Sequence, residues 1–375
     1  MNNRKKSFLE NEAALSIISS LLCIVLGLFA GFVVLLLINP QSATEGIITI
    51  LKNFFTYPSK PAALKYFGST LVKTAPLLMC ALSIQFCYQA GLFNIGAAGQ
   101  YVVGAGAALF GALFLELPWF LCLLLAMAAG AVYGCFVGIL KAYFNVNEVI
   151  SGIMLNWIGL YTVNMVLAGK KEVASPYTVT LASANASALI PSMGLDKLFS
   201  NNKYVTIAIP LSVVIAIVLW VILNKTVMGY EIRGTGLNKD AARYAGMKEK
   251  KNLIMTLVIG GALAGLGAAF LYLTGYEQWS TTQSSVPGMG FNGIAATFLG
   301  GLNPIGTIFS SYFIQHITSG GSYLDKSVYP SQISDLISAI IIYLCGFVLF
   351  FKTTINGRIA RKKEAKRKVK GGAEA

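Results

Sequence analysis

Long apolar blocks alternate along this chain with polar stretches that are mostly short. Most blocks approach or exceed the roughly 20 residues with which a helix crosses a bilayer core, while the one near Pro287–Gly301 is too short and Gly-rich for a regular crossing. Ten crossings are predicted, at about Ser16–Ile38, Gly68–Gln89, Phe93–Leu115, Pro118–Lys141, Val146–Ala168, Tyr204–Leu223, Leu253–Gly275, Pro287–Gly301, Pro304–Gly320 and Ile333–Phe351. The fold class is therefore all-α, a polytopic membrane protein. Residues 1–15 precede the first span, the membrane domain covers 16–352, and a basic tail follows from 353 to 375. The first block follows a basic start, as a signal peptide does, but it is too long and lacks a small-residue cleavage site, so it stays as a span.

Two polar segments interrupt the pattern. Residues 169–203 are rich in Ser, Thr, Ala and Asn without periodicity, and read as an outer accessory loop with no fold of its own. Residues 224–252 carry Lys225, Arg233, Lys239, Arg243, Lys248, Lys250 and Lys251 against Glu231, Asp240 and Glu249. An excess of Lys and Arg in a short loop marks the cytoplasmic side. Inside this loop Asn238 suits the cap of a short helix over Lys239–Ala245, and Gly246 the residue past its end. A helix so short is marginal alone and exists because it packs on something. Ala241, Ala242 and Ala245 leave room for close approach and Tyr244 offers an anchor, so the segment reads as a plug for another protein, or else as a plain surface turn.

Charge and composition then narrow the class. Nineteen of the 29 basic residues lie before the first span, in the 224–252 loop or between Lys352 and Lys370. That placement makes the net charge of +14 a topology signal and an attraction to anionic lipid, rather than a nucleic-acid footprint. It also puts both termini on the cytoplasmic side, in agreement with an even number of spans. The six cysteines all fall in apolar runs and read as small buried hydrophobes. With a single histidine, no metal-ligand spacing and no Gly-x-x-x-x-Gly-Lys-Ser/Thr loop, the chain carries no catalytic, metal or ATP motif of its own.

Two Gly-rich stretches fall at matching places in the two halves: Gly-Leu-Phe-Asn-Ile-Gly-Ala-Ala-Gly-Gln at 91–100 and Gly-Phe-Asn-Gly-Ile-Ala-Ala at 290–296. They predict two inverted five-helix halves with short interrupted helices near the centre, where non-helical backbone lines a protein-walled or wet path. Gln85, Gln89, Asn94, Gln100, Asn156, Asn164, Asn292, Gln315 and His316 are costly against lipid and are expected to face the interior. Glu148 begins a span, as a helix-start charge or as a gating group. The Gly260–Gly267 cluster is a small-xxx-small packing signal.

Four segments in this order, 91–100, Asn-Glu-Val-Ile-Ser-x-Ile-Met-Leu-Asn at 147–156, Gly-x-Asn-x-x-Ala-Ala-x-x-Ala-Gly at 236–246, and 290–295, resemble the permease family of bacterial ABC importers for sugars, nucleosides and branched-chain amino acids. The 148–156 stretch is more similar to the nucleoside branch than to the ribose branch. The resemblance implies a permease subunit of the cell membrane without enzymatic activity. Its implied partners are a cytoplasmic ABC ATPase that binds the ATP, a second permease subunit and an extracellular substrate-binding lipoprotein. It implies ATPase contacts at Asn238, Asp240, Ala241, Ala242, Arg243, Tyr244 and Gly246. Candidates for the pathway are Phe93, Asn94, Gln100, Glu148, Asn156, Phe291 and Asn292, whose rings can stack on a base and whose amides can read its edge. Thr235 departs from the family's Arg-Ala-x-Gly pattern. The rival readings are a ribose or other simple-sugar ABC permease, an ion-coupled secondary transporter, for which no ladder of membrane carboxylates is present, and a structural or receptor-like membrane protein.

Overall fold

A computed structural model describes residues 12–329 and much of 336–357. Among these residues the secondary structure is helical, with only isolated bridges and no β-strand. The helices are α1 (Glu12–Ile38), α2 (Ala43–Lys52), α3 (Lys60–Gln89), α4 (Ala97–Leu113), α5 (Trp119–Phe144), α6 (Glu148–Leu167), the single turns α7 (Leu181–Ala184) and α8 (Leu195–Leu198), α9 (Ala208–Lys225), α10 (Val227–Leu237), α11 (Lys239–Tyr244), α12 (Glu249–Tyr272), α13 (Met289–Leu299) and α14 (Pro304–Gly321). Six stretches, in α1, α3, α5, α6, α9 and α12, are long and apolar enough to cross a membrane. The protein is a multi-pass membrane protein.

The expected spans are adjusted in three places. The second begins at Lys60, eight residues before Gly68, with Pro61 in its first turn. The third begins at Ala97 rather than Phe93, because residues 90–96 leave the helix. The eighth is the 11-residue α13. About half of the tenth, Cys345 included, lies outside the described residues, as do both chain ends.

The packing centre is α3, buried along most of its length, with α12 and α5. Close approach of α5 to α12 rests on missing side chains. A Cβ on Gly261 would collide with the Gly130 carbonyl, and one on Gly134 with the Leu257 carbonyl. Such backbone contact gives the tight packing that holds helices together where lipid is as apolar as leucine.

The 168–207 segment is not a loose accessory. It is tied to the stretch after α12: Thr178 N donates to Trp279 O (2.9 Å), Ile190 N to Leu273 O (3.0 Å) and Thr281 N to Pro176 O (2.8 Å). Trp279 is buried, and its indole Nε1 donates to Asn164 Oδ1 on α6 (2.9 Å). These bonds join segments distant in sequence, so periodicity gave no sign of a fold there.

Gly261→Leu is expected to lower the thermal midpoint of the detergent-solubilised protein, by an overpacking cost of about 3 kcal/mol. Gly288→Ala, where an added Cβ meets nothing within 4 Å, leaves the midpoint unchanged.

Candidate functional site

The site is built around the break between α3 and α4. Past Gln89 the chain turns through Gly91, whose φ of +71° glycine adopts without strain. It then runs back along α3 until Asn94 lies beside Ser83, about 9 Å up the helix from its end at 1.5 Å per residue. Asn94 Nδ2 donates to Ser83 Oγ (3.1 Å) and to Gln100 Oε1 (2.9 Å), and Gln100 Nε2 returns a bond to Asn94 Oδ1 (3.2 Å). From α6, Asn156 Oδ1 accepts from Gly99 N (2.7 Å) while its Nδ2 donates to Ile95 O (3.1 Å). Asn94, Gln100 and Asn156 are all buried. The amides of Asn94 and Gln100 bond to each other and to Ser83, and that of Asn156 to the backbone of Ile95 and Gly99.

Glu148 sits at the same break. Its carboxylate pairs with Lys141 at 2.7 Å, joining the end of α5 to the start of α6, and the backbone amide of Phe93 also faces it. Both side chains of the pair are largely buried. Asn147 caps α6 by accepting from Val149 N (2.8 Å) and Ile150 N (3.4 Å). Glu148 is thus a tether of the segment rather than a bare helix-start charge.

The second Gly-rich stretch meets the first through small residues. A Cβ on Gly290 would lie 2.5 Å from Ala98 Cα, and one on Gly293 3.0 Å from the Ala81 amide nitrogen of α3. Among the described residues no ring contact links Phe93 with Phe291. Phe93 is half-buried and Phe291 is exposed at the start of α13. Asn292 is half-buried, and its side chain makes no hydrogen bond among the described residues.

The expected short helix of the basic loop forms as α11. Asn238 Oδ1 accepts from Ala241 N (3.0 Å) and Gly246 follows the helix at φ +82°. Its faces differ from expectation at one residue: Ala242 is buried against the protein itself and unavailable to a partner. Ala241, Arg243 and Gly246 are exposed, Tyr244 is 95% exposed, and Leu237 just ahead of the cap is 88% exposed. Two apolar side chains are thus held in full view at an ordered turn.

This loop touches the break. A Cβ on Gly236, at the end of α10, would collide with the Gln89 carbonyl and sit 2.9 Å from the Gly91 amide nitrogen. The neighbouring Thr235 is fully buried. Its Oγ1 donates to Glu231 O (2.8 Å) and accepts from Asn252 Nδ2 of α12 (3.1 Å). The departure at Thr235 is thereby explained as a bond between α10 and α12 that alanine cannot make.

Sequence reasoning missed Lys73. It projects from α3 to pair with Glu277 at 3.3 Å and lies over the Tyr276 ring, 5.2 Å from its centroid. A lysine inside an apolar span was the available signal. Among the described residues no group of His, Cys, Asp and Glu could hold a metal.

Packed apolar helices, with a connection between α3 and α4 folded back along α3 and touched by an ordered polar loop, make up a helical membrane protein. The chain belongs to the branched-chain amino acid transport system / permease component family, whose model matches residues 66–346. It is 32% identical to the guanosine ABC transporter permease protein NupP of Bacillus subtilis over 329 residues, 86% of this chain and 90% of that one. It is 31% identical to the nucleoside ABC transporter permease protein NupB of Lactococcus lactis over 373 residues, 96% of this chain and 99% of the other. A second guanosine permease protein of Bacillus subtilis, NupQ, is 31% identical over 261 residues, 65% of this chain and 78% of its own. No solved structure matches the chain.

Asn156→Leu is expected to strand the Gly99 amide and the Ile95 carbonyl and to cost about 3 kcal/mol of stability. Asn292→Leu, which breaks no side-chain bond, costs less than about 1 kcal/mol. Thermal unfolding of the two purified variants checks the contrast.

Proposed function

We infer that this chain is the membrane-spanning subunit of an ATP-driven importer of nucleosides. The carrying observation is the contact of Gly236 with the backbone of residues 89–91, which connects the exposed elbow to the broken helix. The substrate class is supported by the printed roles of NupP and NupB, each similar over nearly the whole chain. NupP and NupQ, two guanosine permeases of one organism, support pairing with a second permease subunit. An extracellular binding lipoprotein completes the system on the opposite face.

In this reading the 224–252 loop faces the cytoplasm, as its excess of lysine and arginine favours. The chain ends lie on the same side. Tyr244, Leu237 and the exposed residues Asn238, Asp240, Ala241, Arg243 and Gly246 form the seat of a cytoplasmic ATPase, while Ala242 supports the seat from within. Two inverted halves are supported by the order helix, break, helix in both α3–α4 and α12–α13, and by the meeting of the two breaks at Ala98 and Gly290. Phe93, Phe291 and Asn292 are the pathway residues whose side chains remain free to meet substrate. Asn94, Gln100, Glu148 and Asn156 hold the wall behind them.

Transport follows as alternating access. Closure of the ATPases moves α11, Gly236 presses on residues 89–91, and the braced segment moves with α4 and α6. Shifting such an equilibrium almost completely takes about 5.5 kcal/mol of differential free energy, which nucleotide hydrolysis on the partner supplies.

Uptake of radiolabelled purine and pyrimidine nucleosides and of ribose is the test, in cells with the intact gene, a deletion, and Tyr244→Glu. Nucleoside uptake is expected to vanish in the deletion and to fall about thirtyfold in Tyr244→Glu, the loss of an interface anchor worth about 2 kcal/mol. The variant remains in the membrane at normal amount, since Tyr244 supports nothing within the chain. Loss of ribose uptake alone sinks the substrate class. Uptake that follows the membrane potential instead of ATP sinks the importer reading.

A further inference from the structure

A second feature of the basic face is a cavity of about 450 Å³. It is lined by Arg243 in the last turn of α11 and Met247 after it, by Lys248, Glu249, Lys250 and Lys251 at the start of α12, and by Tyr143 at the end of α5. Four cations face one carboxylate, and none of the four forms an ion pair among the described residues. The first turn of α12 adds the partial positive charge of a helix N-terminus, with no side chain capping it. Lys250 Nζ lies 4.8 Å from the centre of the Tyr143 ring.

The surroundings identify the kind of anion. Val132, Phe136, Ile139 and Tyr143 are all exposed, and their spacing of four, three and four residues places them in one stripe down α5. That stripe runs along a membrane-crossing helix and ends in the cavity. Phe144 beside it is exposed as well. A soluble phosphate ester would satisfy the cations and ignore the stripe. An acidic protein surface would likewise have no use for apolar side chains facing the hydrocarbon. An amphipathic anion uses both parts.

We propose that this cavity binds the phosphate headgroup of an anionic phospholipid, with an acyl chain laid along the α5 stripe. The lipid joins the end of α5 to α12 and to the elbow that follows α11. Lys248, Lys250 and Lys251 are its charge contacts and Tyr143 is its contact at the boundary between headgroup and chain. The site depends on the membrane reading of the chain alone, so an error in the substrate class leaves it standing.

The test is native mass spectrometry of the purified full-length chain titrated with phosphatidylglycerol or phosphatidylcholine. Wild type is expected to retain one phosphatidylglycerol in preference to phosphatidylcholine. The triple variant Lys248→Gln/Lys250→Gln/Lys251→Gln should bind it about a hundredfold more weakly, roughly fivefold for each lysine. Lys170→Gln/Lys171→Gln/Lys203→Gln, equal in charge change and remote from the cavity, should bind as wild type does. Arginine at 248, 250 and 251 should restore retention, and an unchanged thermal midpoint shows that the glutamine variant is folded. Equal retention by wild type and the glutamine variant overturns the proposal. Displacement of the lipid by equimolar glycerol phosphate or inorganic phosphate also overturns it, assigning the cavity to a soluble phosphate. Retained lipid together with loss of the co-purifying ATPase subunit overturns it in favour of a protein-docking face.

Discussion

Backbone that leaves a helix inside a packed bundle must find its hydrogen bonds within the protein, and this condition governs the arrangement around residues 90–96. Part of the accounting is local: Ala90, Gly91 and Leu92 donate to Cys87 and Tyr88, Ile95 to Phe93 and Ala97 to Asn94. Side chains add to it: Asn156 serves the Gly99 amide and the Ile95 carbonyl, and the Asn94–Gln100 pair holds the strip to Ser83. Each buried group left unpaired costs about 1–3 kcal/mol. The break therefore cannot be moved away from α6 or α3 without a large loss. It moves with them or stays.

That condition also sets which residues are small. Asn156 reaches Gly99 only because residue 99 has no side chain; a Cβ there would lie 2.6 Å from Asn156 Oδ1. A Cβ on Gly152 would lie 2.9 Å from the amide nitrogen of Gly96, so α6 lies directly against the strip. The glycines of α5 and α12 produce a similar intimacy elsewhere in the bundle, where Gly130 and Gly261 exclude side chains from each other's backbone. Helix packing in lipid depends on such contact, and here it yields a close-packed block on which the connection can be held.

The parts that could be read from sequence were those whose signal is local. Asn238 and Gly246 bracket α11 because a cap and a left-handed residue act within one turn. The apolar blocks gave the six long helices, and the Gly260–Gly267 cluster gave a packed face whose partners include Gly130 and Met79. The roles of Asn94, Gln100 and Asn156 were not legible, since an amide facing the interior looks the same whether it meets substrate or backbone. Nor was the burial of Ala242, because a single turn of helix does not reveal which side rests on the protein. Thr235 appeared as a departure until Asn252 came beside it, and Lys73 drew no reading at all, its partner Glu277 lying about 200 positions away. The order of the 168–207 segment depends on bonds to residues 273–281, far beyond any local pattern.

The two links between the elbow and the bundle differ in kind, and the difference bears on how transport can be driven. Gly236 meets residues 89–91 by backbone contact at closest approach, with no side chain to hold on by. Contact of this sort transmits a push but not a pull. Thr235, one residue earlier, is bonded to Asn252 at the foot of α12, and a hydrogen bond resists separation. In the coupling reading, inward movement of α11 therefore acts on the break directly through Gly236, while the return stroke acts through Thr235 on α12. Since α12 packs closely on α3, α4 and α5, withdrawal reaches the break indirectly, through the block as a whole. Thr235 adds a side-chain tie between α10 and α12 beside the covalent connection of the loop to both α9 and α12, a tie that a residue without a hydroxyl would lack.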